Sequence, residues 1–169
     1  MFREMRRKGQ ELPLEECERV LRRASAGVLA LAGDDGYPYA VPLSFLYREG
    51  RLFFHCAREG HKLDALRRCG KASFCVIDRD EVLPEKYSTA YRSVIAFGRV
   101  RVLEEAEEKR RALEALALKY APDDEPQHRE REIEAGWNAL YVLEMTIDHM
   151  TGKAGRYQGS ECPPGAQRA

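Results

Sequence analysis

The sequence predicts an α+β domain in which an antiparallel sheet closes into a small barrel. Strand-like stretches are joined by the short turns "GDDG" and "REG" at 33–36 and 48–50, which are too short for the crossovers of a parallel sheet. Helical patterns follow mainly the third and fifth strands. The 169 residues suit one domain that buries a sizeable core.

The first part of the chain predicts a short helix and three strands. Pro13 stands at a helix entry, and apolar residues recur after it at helical spacing. Apolar, β-rich residues 26–32 predict the first strand, and strict alternation over 37–47 predicts the second. Residues 51–57 complete the three hairpin-linked strands.

The second part predicts three more strands and three helices. A short helix over 60–70 stops at Gly70, and Gly98 is a candidate bulge in the fifth strand. The further strands cover 71–79, 91–103 and 138–150, with a loop over 80–90 and helices over 104–122 and 125–137. Residues 1–156 are expected to form one domain, and the Pro/Gly-rich residues 157–169 a disordered tail.

Composition narrows the classes of partner. A formal net charge of zero provides no global field toward nucleic acid or an anionic membrane, so neither partner is expected. No apolar run approaches the roughly 20 residues of a bilayer span. The N-terminus lacks the apolar region of a secretory signal, and a cytoplasmic protein is therefore expected.

The five cysteines indicate neither a disulfide framework nor a metal centre. They contain no CxxC pair and no regular spacing. His55 and Cys56 are adjacent on a strand, so their side chains point to opposite faces and cannot easily share an ion or act as a nucleophile pair. No metal site is predicted.

The stretch "LFFHCAREGHKL" at 52–63 is the clearest candidate for a binding site. Gly60, His61 and Lys62 follow a strand and open a helix. The first turn of a helix has free N–H groups and partial positive charge, so a lysine there opposes the helix dipole unless an anion is bound. These residues fit a phosphate site, and they equally fit a solvated helix start with surface basic side chains.

The strand "YPYAVPLSF" carries a second signal. Pro38 and Pro42 have no N–H to donate to a ladder, so full pairing on both sides is not expected. Its face of small residues leaves room for a flat ligand whose polar edge could contact unpaired backbone groups. An edge strand protected by prolines explains the same pattern.

Several segments in this order resemble one known family. They are "YPYAVPLSF", "LFFHCAREGHKLDALRR", "KASFCVID", "VLPEKYSTAYRSVIAFGRV" and "HMTGKAGR", and the resemblance extends over roughly residues 13–156. Together they resemble the pyridoxamine 5′-phosphate oxidase-like superfamily of flavin-binding split barrels, in the branch related to 5-nitroimidazole resistance proteins. The resemblance implies a six-stranded antiparallel split β-barrel with peripheral helices. It also implies a homodimer with FMN at the interface.

The resemblance also implies the roles of individual residues. His61 and Lys62, next to Gly60, would contact the FMN phosphate, with help from Ser93. Trp137 would close the site from the other subunit, and His149 is a weak haem-ligand candidate because some relatives bind haem. The flavin ring would be lined by backbone groups of Pro42, Leu43 and Ser44. The ribityl chain or ring would be bordered by His55, Cys56 and Ala57.

The implied activity is reduction of a small acceptor, such as a nitroaromatic compound, by NAD(P)H through FMN. No GxGxxG motif indicates a resident dinucleotide, so NAD(P)H would bind transiently. His55 is the candidate catalytic residue, since a histidine can donate a proton near neutral pH. A flavin carrier or sensor without turnover and a haem-binding relative stay open as alternatives. The C-terminal "GKAGRYQGSECPPG" provides no clear substrate motif for pyridoxine chemistry.

Overall fold

The computed structural model describes residues 2–155 as four helices packed around one antiparallel sheet of seven strands. The helices are α1 (Leu14–Arg23), α2 (His61–Arg68), α3 (Ala106–Tyr120) and α4 (Pro126–Gly136). The strands are β1 (Ala26–Ala32), β2 (Pro38–Ser44), β3 (Leu46–Arg48), β4 (Arg51–Ala57), β5 (Lys71–Leu83), β6 (Ser88–Val102) and β7 (Leu140–Ala154). The α+β class is confirmed, while the predicted tail over 157–169 lies outside the described residues.

The sheet order explains why seven strands stand where six were predicted. The order is β2-β1-β5-β6-β7-β4-β3, so β2 and β3 are the two edges of the sheet. Only Phe45 separates them in the chain, and the sheet must therefore curl until its edges approach each other. The predicted single strand over 37–47 is wrong, because the backbone leaves the ladder at Phe45. The sheet is an open, curled form of the expected barrel.

A hairpin replaces the loop predicted over 80–90. Asp80 to Leu83 pair with Tyr91 to Ser88, so β5 and β6 extend as a two-stranded ribbon. A 3₁₀ turn at Pro84–Lys86 and Tyr87, with φ of 46°, reverse the chain. The polar sequence suggested a loop because both faces of this ribbon are largely accessible to solvent, which removes the usual alternation of apolar and polar residues.

The pairing of β6 with β7 contains the irregularity predicted at Gly98. The register shifts between Phe97 and Gly98, and the additional residue is Asp148 on β7. Only glycine fits at position 98 without a steric clash, because a Cβ there would lie 2.0 Å from the Thr146 carbonyl oxygen. The bulge therefore depends on a glycine opposite the strand that carries the extra residue.

Two apolar clusters hold the elements together. The main cluster fills the inside of the curled sheet and is covered by α1 through Cys17, Val20 and Leu21. The second lies between α3, α4 and the outer side of β7, around Leu113 and Val142. Helix α3 is thereby fixed against the sheet. No helix within residues 2–155 is long and apolar enough to cross a membrane.

Candidate functional site

The sheet is split where β2 and β3 separate at Phe45. Leu46 of β3 pairs with Phe53 of β4, and Ser44 and His55 each lie two residues beyond that pair. Beyond this point, within residues 2–155, β2 pairs only with β1, and β4 pairs only with β7. The edges of β2 and β4 beyond Phe45 are therefore not paired with each other, and the space between them is called the cleft.

Backbone groups along the cleft are available to a ligand. In an antiparallel sheet, the backbone N–H and C=O groups of alternate residues point to opposite sides of a strand. The groups that point away from the paired neighbour at a free edge therefore have no ladder partner. On β2 these edge residues are Pro42, Leu43 and Ser44, with Pro42 and Ser44 exposed and Leu43 half-buried against the core. The predicted edge strand is confirmed, and its three site residues lie together.

The cleft ends at the corner between β4 and α2. Gly60 has φ of 117°, which favours glycine, and its carbonyl accepts the Leu63 N–H at 2.9 Å and the Asp64 N–H at 3.2 Å. The backbone N–H groups of His61 and Lys62 in the first turn have no backbone carbonyl partner in the part of the chain that the structure describes. Within residues 2–155, Lys62 has no carboxylate within 4.0 Å. This corner has the donors that a phosphate needs.

His61 is already held by protein groups. Its Nε2 lies 3.2 Å from Asp34 Oδ2, and its ring stacks on Tyr39 with centroids 4.0 Å apart. This pair ties α2 to the turn between β1 and β2. A phosphate at His61 would compete with the Asp34 carboxylate, so Lys62 is the better-placed of the two predicted phosphate ligands.

The two neighbours at the end of β4 have opposite environments, as predicted. His55 is exposed and has no hydrogen-bond or ion-pair partner among the described residues, while Cys56 is buried in the main cluster. Burial raises the pKa of the Cys56 thiol, and the nearby Lys62 ammonium partly offsets the rise. Cys56 can therefore reach a cofactor only through its backbone. Ala57 ends the strand with an exposed side chain.

Three further candidates lie away from the cleft within one chain. Ser93 on β6 pairs with Lys153, whereas His55 pairs with Val142, so they stand at opposite ends of β7. Trp137 follows α4 and packs with the second apolar cluster. His149 stacks on Phe2, with ring centroids 4.7 Å apart, on the outer side of the sheet. The structure does not bring these side chains to Lys62.

The support of the cleft at Phe45 was missed by the sequence analysis. The Tyr120 hydroxyl accepts the Phe45 N–H at 2.8 Å and donates to the Ser25 carbonyl at 2.5 Å. Lys119 Nζ donates to the carbonyls of Phe45 at 2.7 Å and Ala24 at 2.6 Å. Because these bonds replace a strand ladder, the end of α3 fixes where β2 and β3 part. Tyr120 lies within the helix predicted over 104–122, but nothing in the local sequence indicates its contact with Phe45.

A family model described as pyridoxamine 5′-phosphate oxidase matches residues 13–154. The chain belongs to this family. The match covers the domain from the entry of α1 to the last residue of β7 and so includes both sides of the cleft. No curated protein sequence matches the chain.

Solved structures of the same fold include flavin-binding proteins. A candidate 5-nitroimidazole antibiotic resistance protein from Bacteroides thetaiotaomicron is 25% identical, with a TM-score of 0.71 over 85% of each chain. A FAD and heme binding protein from Mycobacterium smegmatis is 23% identical, with a TM-score of 0.72 over 90% of this chain and 76% of that one.

A FAD-binding protein from Mesorhizobium loti is 21% identical, with a TM-score of 0.61 over 87% of this chain and 98% of that one. The family predicted from the order of the sequence segments is therefore confirmed, and the split-barrel architecture is shared with these structures.

Proposed function

We propose that the protein binds FMN in the cleft between β2 and β4 and transfers electrons from NAD(P)H to a small acceptor such as a nitroaromatic compound. The observation that carries this proposal is the position of Lys62. This lysine has no carboxylate partner among the described residues and stands at the end of the cleft away from Phe45, beside the unpaired edges of β2 and β4.

The residues of the cleft fit the parts of the cofactor. Lys62 and the free N–H groups of the first turn of α2 suit the phosphate. The small exposed side chains of Pro42 and Ser44 allow a flat ring to approach the edge of β2. Structures described as flavin-binding proteins share this fold, which supports the same class of cofactor here.

The proposed dimer interface is the outer face of β2, β1, β5 and β6. One row across these strands contains Pro42, Val28, Cys75 and Ile95, paired in that order. Val28 is 37% exposed and Ile95 is 39% exposed, although both are apolar. A homodimer formed through this face would cover these side chains, and it would allow Ser93 to act only as a residue of the other subunit.

Bound FMN would supply the hydride and electron transfer that amino-acid side chains lack. Lys62 would hold the phosphate, and the edge of β2 would orient the ring. His55 stands exposed on the opposite side of the cleft, and one of its ring N–H groups would donate a proton to the reduced acceptor. NAD(P)H would bind transiently.

The proposal predicts that Lys62→Ala weakens FMN binding. Loss of a charge-assisted hydrogen bond costs about 1.5–3 kcal/mol, which corresponds to roughly 10- to 150-fold in the dissociation constant. Titration of flavin fluorescence measures the change. Lys71→Ala is the matched control, because it removes an exposed lysine at the start of β5. Equal affinities for the two variants would remove Lys62 from the site.

The absorption spectrum of the purified protein tests the cofactor itself. Flavin absorbance, with FMN as the compound released on denaturation, is the expected result. Release of FAD would correct the cofactor, and a Soret band would favour a haem protein. Colourless protein that FMN does not reconstitute would rule out the proposal. FMN binding without oxidation of NADH or NADPH, over a panel of acceptors, would indicate a carrier or sensor.

A further inference from the structure

A cavity of about 610 Å³ opens beside α2, apart from the cleft. It is bounded by the side of α2, the end of β6 and the connection between α4 and β7. Small-molecule sites in proteins commonly measure about 300–1,000 Å³. Of the residues predicted to bind flavin, only Trp137 lines this cavity.

The walls of the cavity suit a planar apolar group. Leu63 and Leu66 project into it from α2, and Val100 and Leu103 line it at the end of β6. Two aromatic side chains, Trp137 and Tyr141, complete the wall. Aromatic and aliphatic side chains with a few convergent polar groups are typical of ligand sites.

Two cationic side chains project into the same space without a carboxylate. Arg58 Nη1 donates to the Asn138 carbonyl at 3.2 Å, and Arg58 Nη2 donates to the Tyr141 hydroxyl at 3.2 Å. Lys109 Nζ donates to the carbonyls of Trp137 at 2.6 Å and Leu140 at 2.8 Å. Within residues 2–155, neither cation has a carboxylate oxygen within 4.0 Å.

Arg58 lies over the Tyr141 ring at 4.8 Å and Lys109 over the Trp137 ring at 4.4 Å, and both cations retain N–H donors without a hydrogen-bond acceptor among the described residues. An ammonium has three N–H donors and a guanidinium five. Lys109 uses two of its three donors, which leaves one. Arg58 uses two of its five donors, which leaves three. Burial lowers the pKa of Lys109, and the charge of Arg58 lowers it further.

The other charged side chains of the cavity do not compensate these cations. Arg67 is paired with Asp64 at 2.8 Å, and Arg101 binds Glu144 at 2.9 Å. Glu104 is the only carboxylate among the lining residues, and it forms no ion pair with the cations within 4.0 Å. An acceptor-rich anion is the group that would satisfy the remaining donors of Arg58 and Lys109.

We propose that this cavity binds a small planar organic anion, with its ring against Trp137 and Tyr141 and its acidic group on Arg58 and Lys109. Within one chain the site is separate from the proposed flavin cleft, since Lys62, His55 and the edge of β2 do not line it.

Benzoate is the probe that tests the site. Trp137 is the only tryptophan of the chain, so its fluorescence reports directly on the cavity. Saturable change on adding benzoate is expected, with calorimetric titration as a second readout. Benzyl alcohol has the ring without the charge, and acetate has the charge without the ring, so both should bind at least tenfold more weakly. Equal binding of benzyl alcohol would overturn the proposal, as would no binding of benzoate.

Three variants separate the site from general charge effects. Arg58→Gln should weaken benzoate binding about tenfold or more, since it removes a charged donor. Glu104→Gln should strengthen binding, because it removes the only carboxylate of the lining. Arg111→Gln is the control, as it removes an exposed cation of α3 outside the cavity. The assignment would be contradicted if Arg58→Gln and Arg111→Gln bound benzoate with equal affinity. It would also be contradicted if Glu104→Gln bound benzoate more weakly than the wild type.

The same titration is made on the purified protein with and without added FMN. Benzoate binding that is unchanged by FMN is expected for an independent site. Competition between benzoate and FMN would place both in one site and overturn the independence of the cavity. Failure of FMN to bind would affect only the proposed function, because the benzoate readout does not depend on it.

Discussion

Lys119 is the residue whose ionisation differs most clearly from ordinary values. Burial lowers its pKa from 10.5 to about 8, although Nζ donates to the carbonyls of Ala24 and Phe45. The folded protein therefore releases this proton near pH 8, whereas the unfolded chain holds it to about pH 10.5. Because the unfolded state binds more protons between these values, the contribution of Lys119 to stability rises with pH across that window.

Comparison with Lys119→Met isolates this effect. Burial raises the pKa of Cys17, Cys56 and Cys75, which lowers stability as pH rises past about 9, but these thiols are common to both proteins. The free energy of unfolding of the wild type should therefore increase relative to the variant from pH 8 to pH 10.5. Urea denaturation at several pH values measures it. Leu118→Met is the control, and a flat difference for Lys119→Met would contradict the assignment.

The sequence predicted the positions of some residues of the cleft but not the contacts of others. Lys62 and Gly60 were predicted because a helix start and its glycine leave a local pattern. The partner of His61 was not, because Asp34 is distant in sequence and its contact depends on how α2 crosses the first hairpin. Trp137 was expected near the cofactor, but whether the other subunit provides it stays a prediction.

At the scale of elements, the bulge between β6 and β7 depends on one glycine. Gly98→Ala would place its Cβ 2.0 Å from a backbone oxygen of Thr146, which cannot rotate away as a side chain could. The expected destabilisation is at or above the upper end of the about 1–3 kcal/mol typical of overpacking.

Thermal or urea unfolding of Gly98→Ala measures this loss. Gly136→Ala is the matched control, because its Cβ would meet only Leu140 Cδ2 at 3.5 Å and alanine favours a helix. If the two variants unfold alike, the close approach of β7 to Gly98 is not rigid.

Sequence patterns predicted most elements because the inner faces of the strands and of α1 bury their apolar residues regularly. They did not predict the break of one strand into β2 and β3. Alternation continues through Phe45, and the break depends on hydrogen bonds from α3, 75 residues away for Tyr120. The ribbon formed by the ends of β5 and β6 was missed for the opposite reason, since Ala90 is its only buried residue among those described and one buried alanine does not produce alternation.

At the scale of the molecule, the exposed outer face of the sheet is the surface through which the proposed homodimer would form. Three apolar side chains on this face are each more than a third exposed: Val28 on β1, and Ile95 and Phe97 on β6. Strand β5 lies between β1 and β6 in the sheet. Large accessible apolar areas commonly mark protein interfaces. The proposed homodimer would bury this face and bring Ser93 of one subunit to the other.

Ile95→Glu should therefore convert a dimer into a monomer, since a buried carboxylate without a partner opposes association. Sedimentation at micromolar concentration measures the mass. The control is Leu118→Glu, which introduces the same charge at an exposed leucine of α3. A wild-type protein that sediments as a monomer would contradict the interface, as would a variant that remains dimeric.

The contact between Tyr120 and Phe45 also bears on the order of folding. The two residues are 75 positions apart, so closing this contact restricts a long segment of chain and is slow compared with forming the local hairpins. The β1–β2 and β3–β4 hairpins can form early, but the angle between them is fixed only when the end of α3 arrives. The cleft would then be one of the last features to acquire its shape, and a ligand that selects this shape would stabilise the folded state by mass action.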